Sequence, residues 1–293
     1  LVLYSAHVLS SGRMTDRRLR AMLKPLLLTT AAACGLVVLQ PDLGTAIILV
    51  FVVVSVMVAA GVPLRTLGLL GLGIVALVVL FALLEPYRRA RLTAFLDPWA
   101  HAGTSGFQAV QGQIALGSGG LLGVGPGQSV QKVFYLPEAQ TDFILAVIGE
   151  ELGVMGVCGL LFLYGLIAYA GLRAARAAKG TYAALLAVGI TSLIVGQATL
   201  NVFAVLGLAP LTGVPLPLVS YGSTNLVVVL AGIGLLLNVA AGGTAHLRAL
   251  GTSGAKPRRS PGGRDQDRDR GGRDGRARRA GAGGGRRSAR AGS

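Results

Sequence analysis

Phe143-Ile-Leu-Ala-Val-Ile-Gly-Glu150-Glu151-Leu-Gly-Val-Met-Gly-Val-Cys-Gly-Leu-Leu-Phe-Leu-Tyr-Gly-Leu-Ile-Ala-Tyr-Ala-Gly-Leu172 runs for 30 residues with only two charges, both glutamates near its start. A bilayer core about 30 Å thick takes about 20 apolar residues at a rise of about 1.5 Å each. The run is long enough to cross a membrane. It lacks the apolar–polar alternation of a barrel strand, so its backbone must satisfy itself as a helix.

Outward from this run, Leu43–Val62, Thr66–Leu84, Tyr182–Ala209 and Pro217–Ala241 repeat the pattern. Pro25–Leu39 is a shorter candidate that lengthens if Ala21-Met-Leu23 joins it, and Leu1–Leu9 reads as the end of one more helix. The expectation is an all-α, polytopic transmembrane helix bundle with six spans and a partial one. Composition agrees: of 293 residues, 53% are hydrophobic and 13% charged, about half the charged share of ~25% usual in soluble domains. A soluble globule of this size could not cover its surface with so few charges.

The net charge of +15 is uneven, because residues 248–293 hold 14 Lys/Arg and 4 Asp. The expected organisation is a membrane domain over residues 1–247 and a basic Gly/Arg-rich tail over 248–293, too poor in apolar residues to fold. On a cytoplasmic membrane face such a tail attracts anionic lipid loosely at most, and no nucleic-acid partner is expected. Cys34 and Cys158 sit inside apolar runs and read as small buried residues, with no disulfide or zinc spacing. The chain opens at Leu1 without a charged leader, inside an apolar segment, and earlier sequence is expected before it.

Lys and Arg near helix ends set the orientation. Arg13, Arg17, Arg18, Arg20 and Lys24 precede the first full span, and Arg65 lies between the second and third. Arg173, Arg176 and Lys179 follow the fourth, and the tail follows the sixth. Alternation puts all four groups on one side, read as cytoplasmic. The turn at Gln40–Asp42, the segment Glu85–Thr141 and the stretch around Pro210–Pro217 then lie outside. A cytoplasmic amino terminus requires an odd number of helices ahead of the fragment.

The outer segment Glu85–Thr141 has 57 residues, and loops that long without a role are uncommon. Arg88, Arg89 and Arg91 break the charge rule there. They either snorkel to phosphate headgroups or fork the oxygens of an anionic, lipid-linked phosphate. Trp99 fits an interfacial anchor. The glycine-rich, apolar stretch Ile114–Gly127 follows no strand, so it is not a nucleotide cradle. Flexible packing over the membrane surface, or partial re-entry, is expected of it.

The membrane domain holds eight acids. Asp97, before Pro98, reads as a turn residue and Asp16 as solvated. Asp42 reads as structural, at the positive start of a helix. Leu136-Pro-Glu138-Ala-Gln140-Thr141-Asp142-Phe143 is different. Asp142 stands at the outer mouth of a helix, with Glu138 just before it and the loop arginines on its face of the membrane. It admits a plain N-cap reading and a chemical one. Glu150 and Glu151 follow about 12 Å down the helix, pointing about 100° apart. Ionisable groups at that depth are functional suspects.

Six stretches then follow one another in order over residues 1 to about 241. They are Gln40-Pro-Asp-Leu-Gly-Thr45; Glu85-Pro-Tyr-Arg88 with Arg91-Leu-Thr-Ala-Phe-Leu-Asp-Pro-Trp99; and Gly127-Gln-Ser-Val-Gln-Lys132 leading to Tyr135-Leu-Pro-Glu-Ala139. After these come Thr141-Asp-Phe143, Ile148-Gly-Glu-Glu-Leu-Gly153 and Leu216-Pro-Leu-Val-Ser-Tyr-Gly222. In this series the chain resembles the SEDS family (shape, elongation, division and sporulation) of bacterial cell-wall proteins, its cell-division members more than its elongation members. Gln140 departs from the family's usual histidine, and Ser223-Thr-Asn225 from its Gly-Ser-Ser. The family's first three or so helices are expected ahead of Leu1.

The resemblance implies a ten-helix glycosyltransferase of the bacterial cytoplasmic membrane that polymerises lipid II into peptidoglycan at the septum. Its active site would face outward, beside a class B penicillin-binding protein and other divisome membrane proteins. Asp142 falls on the family's candidate catalytic carboxylate, a general base toward a sugar hydroxyl. Arg88, Arg89 and Arg91, aided by a divalent cation (Mg or Mn), would offset the charge of the leaving pyrophosphate. Lys132, Glu138, Gln140, Thr141 and Ser220 would contact substrate, while Asp42, Glu150 and Glu151 would be structural or line the cavity. No organic cofactor is implied. The competing readings are a lipid II flippase that uses the buried acids and a noncatalytic division scaffold.

Overall fold

The computed structural model describes residues 1–11, 16–40, 42–73, 93–131, 136 and 139–242. Among these the regular elements are all helices: α1 (Val2–Ser10), α2 (Asp16–Leu39), α3 (Leu43–Ala59), α4 (Leu64–Gly73), α5 (Phe107–Gly119), α6 (Ile144–Ala177), α7 (Thr181–Val205) and α8 (Ser223–Ala240). Four are long and apolar enough to cross a membrane, namely Ala21–Leu39 within α2, then α6, α7 and α8. At 17 residues α3 is shorter, rising about 26 Å. The expected span Thr66–Leu84 is represented by α4, and its remainder lies outside the described residues, as does the tail from 248.

Where the boundaries differ from expectation, the backbone gives the reason. α3 stops at Ala59 because Gly61 turns to φ 82° and Pro63 follows. α7 stops at Val205, short of Ala209, with Gly207 at φ 72°. α8 begins at Ser223 and not at Pro217. Pro215 and Pro217 lack an N–H to donate, and Leu218 takes φ 66°, so residues 206–222 form a loop that returns over the helix ends. Pro25 is accommodated inside α2, as the longer reading of that span requires.

α6 is not one continuous rod. Gly153 at φ 65° and ψ −164° divides it into a short N-terminal helix and a long span. The backbone groups freed by this break need partners, and the glycine-rich segment after α5 supplies them. Val124 and Gly125 donate N–H to the carbonyls of Glu150 and Glu151 at 3.0 and 3.1 Å, while Val154 and Met155 donate to Gly120 and Leu121 at 3.0 and 3.3 Å. Only glycine permits so close an approach: a Cβ on Gly119 would lie 1.9 Å from the Gly149 carbonyl oxygen. Of the two expectations for this segment, flexible cover of the membrane surface and partial re-entry, the first does not hold: the segment packs tightly on α6.

α7 is the hub. Half of its spanning window is buried, against 11–17% for the other three spans. Helices in lipid gain little from hydrophobic burial against one another and rely on close packing at small residues. Gly189 receives Val2 of α1 and Val56 of α3, Gly196 receives Phe51 of α3, and Thr191 sits in the notch left by Gly171 of α6. The outward faces expose Phe162, Leu163, Tyr169, Val227, Leu230 and Leu237, as helices facing acyl chains do. Cys158 lies on such an exposed face and Cys34 is half-buried, so neither is the fully buried residue the sequence suggests.

Gly119→Ala should cost about 1–3 kcal/mol of overpacking and lower the melting temperature of the purified protein. Gly117→Ala, where a Cβ meets open space, should leave it unchanged. Equal melting of the two variants would contradict the packed ladder.

Candidate functional site

Asp142 is half-buried at the N-terminal end of α6. Phe143 occupies the N-cap position of α6, with Asp142 directly before it, and the phenylalanine side chain makes no cap hydrogen bond. The segment carrying Asp142 is held by its carbonyls. Gln140 O accepts the Tyr221 N–H at 2.9 Å, Thr141 O accepts the Ser220 hydroxyl, and Asp142 O accepts the Asn201 amide at 2.7 Å. Three successive carbonyls are thus gripped from α7 and the 206–222 loop. On the opposite side Phe143 is buried against α5, where a Cβ on Gly112 would lie 2.5 Å from its ring.

The clamp is itself braced. Ser220 Oγ accepts the Leu216 N–H at 2.7 Å, and the Tyr164 hydroxyl of α6 donates to the Pro217 carbonyl. Asn201 spends its second amide hydrogen on Val214 O at 2.8 Å. α3 approaches the same loop at Gly44, where a Cβ would stand 2.5 Å from the Thr212 carbonyl oxygen. Asp42 starts that helix and accepts the Thr45 N–H at 2.9 Å, the structural role expected of it. The loop then turns at Gly213, φ 68°, beside Asp142 Oδ2.

Asp142 faces a cavity of about 40 Å³ lined also by Gln108, Phe143, Asn201, Ala204, Val205, Leu211, Thr212, Gly213 and Val214. A larger cavity of about 270 Å³ shares Gln108, Ala204 and Leu211 with it and extends past Phe95, Pro98 and Phe107. A carboxylate beside an amide, a hydroxyl and apolar walls can accept a proton from a ligand hydroxyl and orient it. Among the described residues no three His, Cys, Asp or Glu gather as metal ligands.

The other expected site residues divide. Arg88, Arg89, Arg91, Lys132 and Glu138 lie outside the described residues. Gln140 is exposed, Thr141 is half-buried, and Ser220 uses its hydroxyl on the backbone that carries Asp142. Glu150 is 3% exposed and spends both carboxylate oxygens, one on the Ser129 hydroxyl and one on the Val130 N–H at 3.1 Å. It fastens residues 129 and 130 to α6. Neither Glu150 nor Glu151 lines the Asp142 cavity. Asn201 and Thr212 escaped the sequence reading. The signal for Asn201 was present, since an amide deep in an apolar span demands partners there.

A family model described as a cell cycle protein, taking its name from FtsW, RodA and SpoVE, matches residues 1–244. A probable peptidoglycan glycosyltransferase FtsW from Thioalkalivibrio sulfidiphilus is 42% identical over 231 residues, 78% of this chain and 58% of its own length. Stage V sporulation protein E of Bacillus subtilis is 41% identical over 243 residues, 82% of this chain and 65% of its own. The chain therefore spans about three-fifths of these relatives. Among solved structures, a chain of a peptidoglycan synthase complex superposes with TM-score 0.64 at 32% identity, covering 82% of this chain and 67% of that one. The Thermus thermophilus rod shape determining protein RodA superposes with TM-score 0.54 at 33% identity, covering 82% and 62%.

Glu150→Ala removes the partner of both the Ser129 hydroxyl and the Val130 N–H, and each polar group left unpaired costs about 1–3 kcal/mol. Hydrogen exchange at the Val130 amide should quicken at least about tenfold while α7 keeps its protection. Unchanged exchange at Val130 would remove the fastening role.

Proposed function

Because the chain belongs to the SEDS family of cell cycle proteins, which includes FtsW, RodA and SpoVE, we propose that it carries the catalytic part of a peptidoglycan glycosyltransferase acting in cell division. The observation that carries this reading is the clamped carboxylate: Asp142, its carbonyl held by Asn201, opening onto a cavity. Three basic groups, Arg13–Lys24, Arg65 and Arg173–Lys179, alternate with the spans and favour a cytoplasmic placement. On this reading Asp142 faces the extracytoplasmic side of the bacterial inner membrane, and the protein works at the septum. The full protein would have ten spans.

Lipid II is the substrate on this reading. An Asp142 carboxylate oxygen takes the proton from the acceptor-sugar hydroxyl, and that oxygen attacks the anomeric carbon of the donor. The bond from the anomeric carbon to the pyrophosphate breaks, and undecaprenyl pyrophosphate leaves with the electron pair. One displacement inverts an α-linked donor to a β-linked strand, without a covalent sugar intermediate. Arg88, Arg89 and Arg91 would meet the pyrophosphate, with Lys132 and Glu138 on the same side. A divalent cation suits a site with so few protein ligands if it is held mainly by phosphate oxygens, as Mg²⁺ commonly is.

A class B penicillin-binding protein is the proposed partner, with other divisome membrane proteins around it. The similarity to a chain of a peptidoglycan synthase complex supports this. The flippase reading leaned on Glu150 and Glu151 as a mid-membrane path. Glu150 has both oxygens occupied by the outer loop, which weakens it.

Asp142→Asn keeps the shape and removes the basicity. With the full-length protein bound to its transpeptidase partner, and that partner inhibited, the variant should make no glycan strands from purified lipid II. It should insert and bind the partner as wild type does. Wild-type polymer from the variant would overturn the assignment of the base. Removing residues 249–293 should leave turnover within about twofold, and loss of activity in the purified truncation would contradict that.

A further inference from the structure

Asn201 is 2% exposed, and both its amide hydrogens are committed, to Asp142 O and Val214 O. Two carbonyls can only accept, so the nitrogen must face them and the orientation of the amide is fixed. Its Oδ1 therefore points away from the clamp. That oxygen is buried without a donor among the described residues, and so is Thr212 Oγ1. Both residues line the cavity of Asp142.

Polar atoms buried this deeply are normally paired, so the cavity calls for a ligand that brings hydrogen-bond donors. Its other walls, Phe143, Ala204, Val205 and Val214, suit the carbon-bound face of a sugar. A divalent cation takes about six oxygens, several of them anionic, and Asp142 is the single carboxylate among the described lining residues. Size points the same way. About 40 Å³ is above the roughly 10–15 Å³ that admits one water-sized group, so small polar groups of a sugar can enter. The neighbouring 270 Å³ cavity is where the ring would lie.

We infer that Asn201 Oδ1 accepts a second hydroxyl or an amide N–H of the acceptor sugar and that Thr212 Oγ1 hydrogen-bonds the same sugar, together holding its reacting hydroxyl against Asp142. Asn201 then works at both ends, fixing the backbone of the base through Nδ2 and the substrate through Oδ1. The inference rests on the glycosyl-transfer reading and adds two substrate contacts to it.

The test titrates lipid II against initial polymerisation rate in the full-length protein bound to its partner. Thr212→Val keeps the shape and removes the hydroxyl, and should raise KM about five- to tenfold with kcat within about twofold. Thr212→Ser should restore the wild-type KM, which a merely structural role for the threonine would not require. Asn201→Ala should lower kcat at least tenfold as well as raise KM, because the base loses its anchor; if that variant does not fold, the valine–serine pair decides alone. A polymerising wild type whose Thr212→Val variant shows an unchanged KM would overturn the inference and leave the glycosyltransferase reading standing. A KM defect erased by added Mg²⁺ would overturn it too, by giving the oxygen to a cation. A folded wild-type complex that makes no polymer would remove the proposed reaction, and this inference with it.

Discussion

The architecture around the site depends on three neighbouring carbonyls that cannot be left unpaired. Gln140, Thr141 and Asp142 lie just before α6, in backbone that belongs to neither helix nor sheet. Each carbonyl takes a donor from a different residue, Tyr221, Ser220 and Asn201. Because those donors come from α7 and from the loop before α8, the carboxylate at 142 is fixed by elements 59 to 79 residues away in sequence. A reactive side chain on a loop is placed reliably only when its backbone is held in this way.

Membrane depth explains why the rest of the fold takes the shape it does. Irregular backbone is tolerated there only when protein satisfies it. The break at Gly153 is answered by the Gly-rich strip of residues 119–125, and the Pro-rich loop after α7 is answered by Tyr164, Ser220 and Asn201. Glycine recurs at these places because backbone meets backbone: Gly44 against Thr212, Gly119 against Gly149, Gly123 against Glu151. The segment that carries Asp142 is thereby tied to packing inside the bundle. Glu150 is part of the same economy, a buried carboxyl group whose two oxygens hold residues 129 and 130 against α6.

Much of this was legible in the amino-acid sequence. The apolar runs at α2, α3, α6, α7 and α8 announce membrane helices because nothing else buries so many consecutive apolar residues. Asp142 stood out because acids are few and its neighbours are polar. What escaped the reading had physical causes. The kink at Gly153 is invisible to hydropathy, since a broken apolar run scores like an intact one. The start of α8 was set six residues early because Pro217, Leu218 and Val219 are apolar although they form a loop. Asn201 and Thr212 lie 59 and 70 residues beyond Asp142, and only the fold brings them to its cavity. Ser220 was expected to touch substrate, and its described bonds run to backbone.

The central claim is that the clamped Asp142 sits where the acceptor hydroxyl reacts. An experimental structure of the full-length protein with its partner and bound lipid II tests it most directly. The account predicts a sugar hydroxyl within about 2.6–3.2 Å of the Asp142 carboxylate, with the three carbonyls of residues 140–142 still held by Tyr221, Ser220 and Asn201. A well-resolved lipid II with its sugars seated elsewhere, and Asp142 facing no hydroxyl, would contradict it.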